Sequence, residues 1–83
     1  MKNIILFGIK GCHDCAKQKQ VLAKTEYEYR FIEIDTDDIS DMILMNQLEV
    51  DDIPTLVIMS DDECVFKHKG VLASRKIIEA MEN

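Results

Sequence analysis

The chain has 83 residues, 47 % of them hydrophobic and 31 % charged, with a formal net charge of −6. That length points to one domain over residues 1–83 with one apolar core, and its composition is not that of a disordered chain. The acidic balance argues against a binder of nucleic-acid phosphates, and no apolar run is long enough to cross a bilayer.

Ile4-Ile5-Leu6-Phe7 is apolar at every position, which predicts a central strand covered on both faces. The apolar start is too short for a secretory signal, so a cytoplasmic protein is expected. Gly8 to Gly11 form a loop, and good helix formers run from His13 to about Lys24. Cys15, Ala16 and Leu22 mark the inner face of that helix, with Val21 near it. Tyr27 to Ile34 is aromatic and β-branched, a second strand. Asp35-Thr36-Asp37-Asp38 is a polar break with N-cap chemistry. Ile39 to about Leu48 follows as a helix, its Met42, Ile43, Met45 and Leu48 near helical spacing.

Asp51-Asp52 reads as a turn and Leu56–Met59 as a third strand, again apolar throughout. After a turn at Ser60-Asp61-Asp62, Cys64, Phe66 and His68 alternate with Val65, Lys67 and Lys69, the period of a fourth strand. On that alternation Cys64 reads as a buried, inert thiol, the alternative being a regulatory or dimer-forming one, and His68 as partly covered. Met42, Met45, Met59 and Met81 take core positions. Gly70 ends the strand, and Ser74 caps a last helix carrying Ile77, Ile78 and Met81. The aspartates between 35 and 52 lack the glycine and terminal glutamate of a calcium loop and read as caps and turns. The order βαβαββα implies an α/β fold, a four-stranded mixed sheet flanked by three helices. Its first two strands are parallel and its last two antiparallel.

Charge is unevenly spread. Residues 1–25 sum to +4, residues 26–63 to −12 and residues 64–83 to +2. The acidic middle is either ordinary solvated surface or a steering field for a partner.

Three cysteines, Cys12, Cys15 and Cys64, argue against a disulfide framework. The run Cys12-His13-Asp14-Cys15 stands where the first strand's loop opens into the first helix. Unpaired N–H groups there carry a partial positive charge that favours a thiolate at Cys12. Cys15, one turn on, is placed to resolve a mixed disulfide formed at Cys12. A Cys-x-x-Cys also supplies half of a zinc site, but no second Cys/His pair with ligand spacing exists.

Gly11-Cys12-His13-Asp14-Cys15, then Ile53-Pro54-Thr55, then Gly70, in this order, make the chain resemble the thioredoxin/glutaredoxin superfamily over essentially its whole length. The resemblance implies a thioredoxin-like fold and a cis bond at Ile53–Pro54. It also implies a docking rim of Ile53, Pro54, Gly70 and Val71, with the Ile53 backbone pairing to an extended target. It makes Cys12 the nucleophile and Cys15 the resolving thiol, while His13-Asp14 between them is neither the Gly-Pro of common thioredoxins nor the Pro-Tyr of common glutaredoxins. Several family features are replaced. Gly11 stands where thioredoxins usually carry Trp, and Leu6 where larger ones bury an Asp. Gly70-Val71-Leu72-Ala73-Ser74 replaces the glutaredoxin Gly-Gly and its following acid, and Lys10 lies one residue short of the glutaredoxin lysine's offset.

A protonated His13 favours the Cys12 thiolate and an ionised Asp14 opposes it, so a near-neutral thiol and a reducing protein are expected. The expected potential is on the order of −200 to −270 mV. The expected function is a monomeric dithiol–disulfide oxidoreductase acting on protein disulfides, with no bound cofactor. A flavoprotein reductase or glutathione recharges it, the reductase being preferred because the glutathione-side residues are missing. The alternatives are a glutathione-dependent glutaredoxin, a metal or iron–sulfur module using Cys12 and Cys15, and a non-catalytic adaptor.

Overall fold

A computed structural model describes residues 1–83. In chain order the elements are β1 (Lys2–Gly8), α1 (His13–Thr25), β2 (Tyr29–Glu33), α2 (Ile39–Gln47), β3 (Thr55–Ser60), β4 (Glu63–Lys69) and α3 (Ser74–Glu82). All seven match the expected types, and β2 is shorter than the aromatic run that announced it. The sheet order is β2-β1-β3-β4. β1 runs parallel to β2 and antiparallel to β3, and β3 runs antiparallel to β4.

Alternation along the two central strands divides the core. Ile4 and Leu6 of β1 join Leu56 and Ile58 of β3 under α1 and α3, where Leu22, Leu72 and Ile77 complete the layer. Ile5, Phe7, Val57 and Ile32 form the other layer, closed by Leu44, Met45 and Leu48 around α2. Burial on both faces is why these two strands are uninterrupted apolar runs.

Asp38 caps α2, its carboxylate accepting from the Asp41 N–H at 3.1 Å. The last helix departs from expectation. Its N-cap is Ala73, with no side-chain cap bond, and Ser74 is already helical. Burial of Ile77 and Leu72 holds α3 in place instead.

Two further expectations are corrected. Met42 is 51 % exposed, beside exposed Ile39 and Ile43, because only the side of α2 carrying Leu44, Met45 and Leu48 reaches the sheet. Met59 and Met81 are partly buried against the two layers, as expected. Cys64 is exposed, not buried. Met59 faces Cys64 and Ile58 faces Phe66, so Val65 is an extra, unopposed residue, a β-bulge. The bulge breaks the alternation. Phe66 packs under α1 and α3, whereas Cys64 turns to the other face beside Leu48 and Met59. His68, beyond the bulge, is half-buried as its register demands.

Candidate active site

The two neighbouring sulfurs are set by where β1 ends and α1 begins. Gly8 is the last residue of β1, and Cys12 is the N-cap of α1 with extended backbone angles. Its carbonyl accepts the first helical bond, from the Ala16 N–H at 3.1 Å. Its Sγ accepts from the Cys15 N–H, also at 3.1 Å. The Cα atoms of Cys12 and Cys15 lie 5.2 Å apart and the sulfurs are joined as a disulfide. When the bridge opens, the Cys15 N–H and the helix N-terminus face the Cys12 sulfur and favour its anion.

The two sulfurs differ in access. Cys12 is half-buried, and Cys15 is 1 % exposed. Burial disfavours a thiolate at Cys15 relative to Cys12. This asymmetry suits an outer nucleophile and an inner resolving thiol. His13 and Asp14 both project into solvent from the first turn.

Gly8 makes room for the inner sulfur. A Cβ there would lie 2.7 Å from the Cys15 Sγ and 3.0 Å from Phe31 Cε1. Neither neighbour can yield freely, since Cys15 is tied to the helix start and Phe31 carries the Lys19 ammonium over its ring at 3.6 Å. The expected result for Gly8→Ala is a loss of about 1–3 kcal/mol, the usual cost of overpacking, read by urea unfolding of the oxidised protein.

Ile53–Pro54 is a cis peptide, as the resemblance implied. Pro54 is buried and Ile53 half-buried. The Ile53 N–H donates to the Asp52 carboxylate at 2.8 Å, while its carbonyl takes part in no helix, strand or loop bond. A target strand pairing here would meet a free acceptor but would have to displace Asp52 from the donor. The Pro54 carbonyl accepts from the Gly70 N–H at 2.8 Å, joining the two rim loops. Gly70 does this with φ at +91°, a conformation that glycine adopts without strain.

Sequence reasoning missed Gln18. It expected Ala16 on the inner face of α1, but Ala16 is exposed and Gln18 is fully buried. The Gln18 side chain donates to the Leu72 carbonyl at 3.0 Å and accepts from the Leu72 N–H at 2.6 Å. It pairs with the rim loop as a second strand would, one turn beyond Cys15. The signal was positional: residue 18 lies between Cys15 and Leu22 at helical spacing, and its polarity masked it.

Asp51 and Lys69 lie 2.6 Å apart and tie the loop before Pro54 to β4. The Lys69 hydrogen bond, then its charge, holds the Asp51 carboxyl below the usual aspartate range. Asp51 in turn holds the Lys69 ammonium above the usual lysine range. The depressed carboxyl contributes stability above the ordinary aspartate value and loses it as pH falls through its own lower one. The raised ammonium contributes below the ordinary lysine value and loses it as pH rises through its own higher one. Both side chains are exposed, so solvent screening keeps the contribution small. Asp51→Asn is therefore expected to melt only slightly below wild type around neutral pH, the gap closing in acid and again at strongly alkaline pH. Melting curves across pH check this.

No cluster of three or more His, Cys, Asp or Glu side chains is placed to hold a metal ion. Within one chain, Cys12 and Cys15 have no third ligand of those types.

A family model described as Glutaredoxin matches residues 4–65. No curated protein matches the chain by sequence. Among solved structures it is similar to the malaria parasite's thioredoxin-2, with a TM-score of 0.76 at 16 % identity over 99 % of this chain and 82 % of that one. It is similar to chloroplastic thioredoxin z, with a TM-score of 0.76 at 21 % identity over 99 % and 76 %. It is similar to thioredoxin from Aeropyrum pernix, with a TM-score of 0.76 at 19 % identity over 98 % and 73 %. At these identities the likeness establishes a thioredoxin fold. With the family match spanning most of the length and the two sulfurs bridged at a helix start, the chain belongs to the Glutaredoxin family of the thioredoxin/glutaredoxin superfamily and is a thiol–disulfide oxidoreductase.

Proposed function

We propose that the protein reduces protein disulfides through Cys12 and Cys15 and is recharged by a flavoprotein reductase. The observation that carries this reading is the unequal exposure of two bridged sulfurs at the start of α1. The Cys12 thiolate attacks one sulfur of a target cystine. The cystine bond breaks, and the leaving sulfur takes a proton. Cys15, losing its own proton to solvent, then attacks the Cys12 sulfur of the mixed disulfide and expels the second target thiol. The Cys12–Cys15 pair ends oxidised and the target cystine reduced, a transfer of two electrons.

Ile53, Pro54, Gly70 and Val71 serve as the docking rim in this reading. His13 and Asp14, both exposed, tune Cys12 through charge. Two features support a reductase over glutathione. Val71 occupies the place of the second glycine of the glutaredoxin pair, and Asp52, which forms no ion pair, borders the Ile53 rim, unfavourable for an anionic tripeptide.

Insulin reduction tests the assignment. Sustained turnover is expected with NADPH and a thioredoxin-reductase-type flavoprotein, and little with glutathione and its own reductase. Robust turnover on glutathione alone overturns the choice of donor.

A further inference from the structure

The chain exposes six large apolar residues, and four fall between positions 34 and 43: Ile34 at 40 %, Ile39 at 73 %, Met42 at 51 % and Ile43 at 53 %. Ile39, Met42 and Ile43 stand at i, i+3 and i+4 on α2 and so share one helix face. Met42 neighbours Met45 by the same spacing. Met45 lines a groove of about 320 Å³ with Ile34, Val50, Asp51, Asp52 and Ile53. The apolar stripe thus leads from the outer face of α2 to Ile53, which precedes the cis proline. An exposed apolar stripe of this kind, rimmed by polar groups, marks an interaction surface.

The rim carries one sign. No Lys or Arg occurs from residue 31 to residue 66, and eight acids lie between 33 and 53. Arg30 neutralises Asp41, Lys69 neutralises Asp51, and Asp38 is spent on its helix cap. Lys67 is engaged by the Leu48 and Glu49 carbonyls at 2.8 Å each. Asp35, Asp37, Glu49 and Asp52 form no ion pair and outnumber Lys67, so the face is negative around an apolar centre. An anionic lipid surface would be repelled from such a face.

We propose that the outer face of α2 and the groove beside it seat a basic redox partner: a protein whose cystine is bordered by lysine or arginine around an apolar contact. The proposal rests on the disulfide-reducing reading above. α2 holds the partner through apolar contact and opposite charge while Cys12 attacks the cystine. This sets which disulfides are met quickly, since charge complementarity acts mainly on the association rate.

The experiment follows oxidation of the reduced full-length protein by stopped flow, which needs no recycling donor. Three oxidants are used: cystine, and two synthetic peptides with an internal disulfide, one flanked by Lys and Leu and the other by Glu and Leu. At low ionic strength the Lys-flanked peptide is expected to react about tenfold faster than the Glu-flanked one, and this ratio should collapse at ~0.5 M salt. Asp37→Lys is expected to lower the ratio severalfold. Glu79→Lys makes the same charge change on exposed α3, across the sheet, and should move the ratio less than about twofold. Met42→Ser is expected to slow the Lys-flanked peptide about fivefold relative to cystine, through lost apolar contact. Equal peptide rates, or equal effects of the two charge reversals, overturn the docking face and leave the redox reading intact. A wild-type dimer that Met42→Ser dissociates also overturns it, assigning the stripe to a second copy. Failure of cystine to oxidise the protein removes the redox reading, and the docking face with it.

Discussion

Cys12→Ser and Cys15→Ser each lose at least about a hundredfold in turnover of a protein disulfide, a rise of ~2.7 kcal/mol in the barrier, but they lose it differently. Cys12→Ser removes the outer nucleophile and forms no adduct. Cys15→Ser keeps the half-buried outer sulfur, the helix N-terminus and the Cys15 position's backbone N–H, so the first displacement proceeds. It then halts, because the serine hydroxyl stays protonated at neutral pH and offers no thiolate to displace the target thiol. The mixed disulfide accumulates as a band on non-reducing gels that dithiothreitol removes. Absence of the band from Cys15→Ser would show that the buried sulfur does more than resolve. A band in Cys12→Ser and none in Cys15→Ser would reverse the order of attack.

Gln18→Ala is expected to cost about 2–5 kcal/mol of a total that for small domains is ~5–15 kcal/mol. Truncation leaves the Leu72 N–H and carbonyl without the partners they have at 2.6 and 3.0 Å, in a buried place. Each orphaned group costs about 1–3 kcal/mol, with water entering the vacated space offsetting part of it. Gln18→Glu separates shape from hydrogen bonding. The introduced carboxyl can accept from the Leu72 N–H but, when ionised, cannot donate to the carbonyl. Burial raises its folded-state pKa above the unfolded value of ~4.3, so the variant loses stability as pH climbs above that value. Melting in urea at acidic and neutral pH reads both effects. A Gln18→Ala loss under ~1 kcal/mol would mean that the rim loop stands without its amide brace.

Much of this architecture is written plainly in the chain. Ile4–Phe7 and Leu56–Met59 announced central strands because residues covered on both sides leave no polar alternation. Asp38 announced a helix start, and the Cys pair announced its own position at the strand-to-helix junction. Other features lay beyond local pattern. Cys64 was misplaced because a single extra residue, Val65, reverses which side every earlier strand residue faces, and nothing in its own composition marks a bulge. Gln18 was passed over because a polar residue reads as surface until its partner, Leu72, 54 positions away, is known. Met42 looked like core because helical spacing identifies a stripe without saying which neighbour covers it. The Ala73 cap follows from tertiary packing of Ile77 and has no local signature.

The bulge at Val65 has a bearing on solubility. β4 is an outermost strand, with unpaired backbone groups along one side where another polypeptide could add itself and seed a fibril. The kink at residue 65 spoils the straight template such growth requires. Concentrated stocks should stay clear, and straightening the strand by deleting Val65 should bring on thioflavin-positive aggregates.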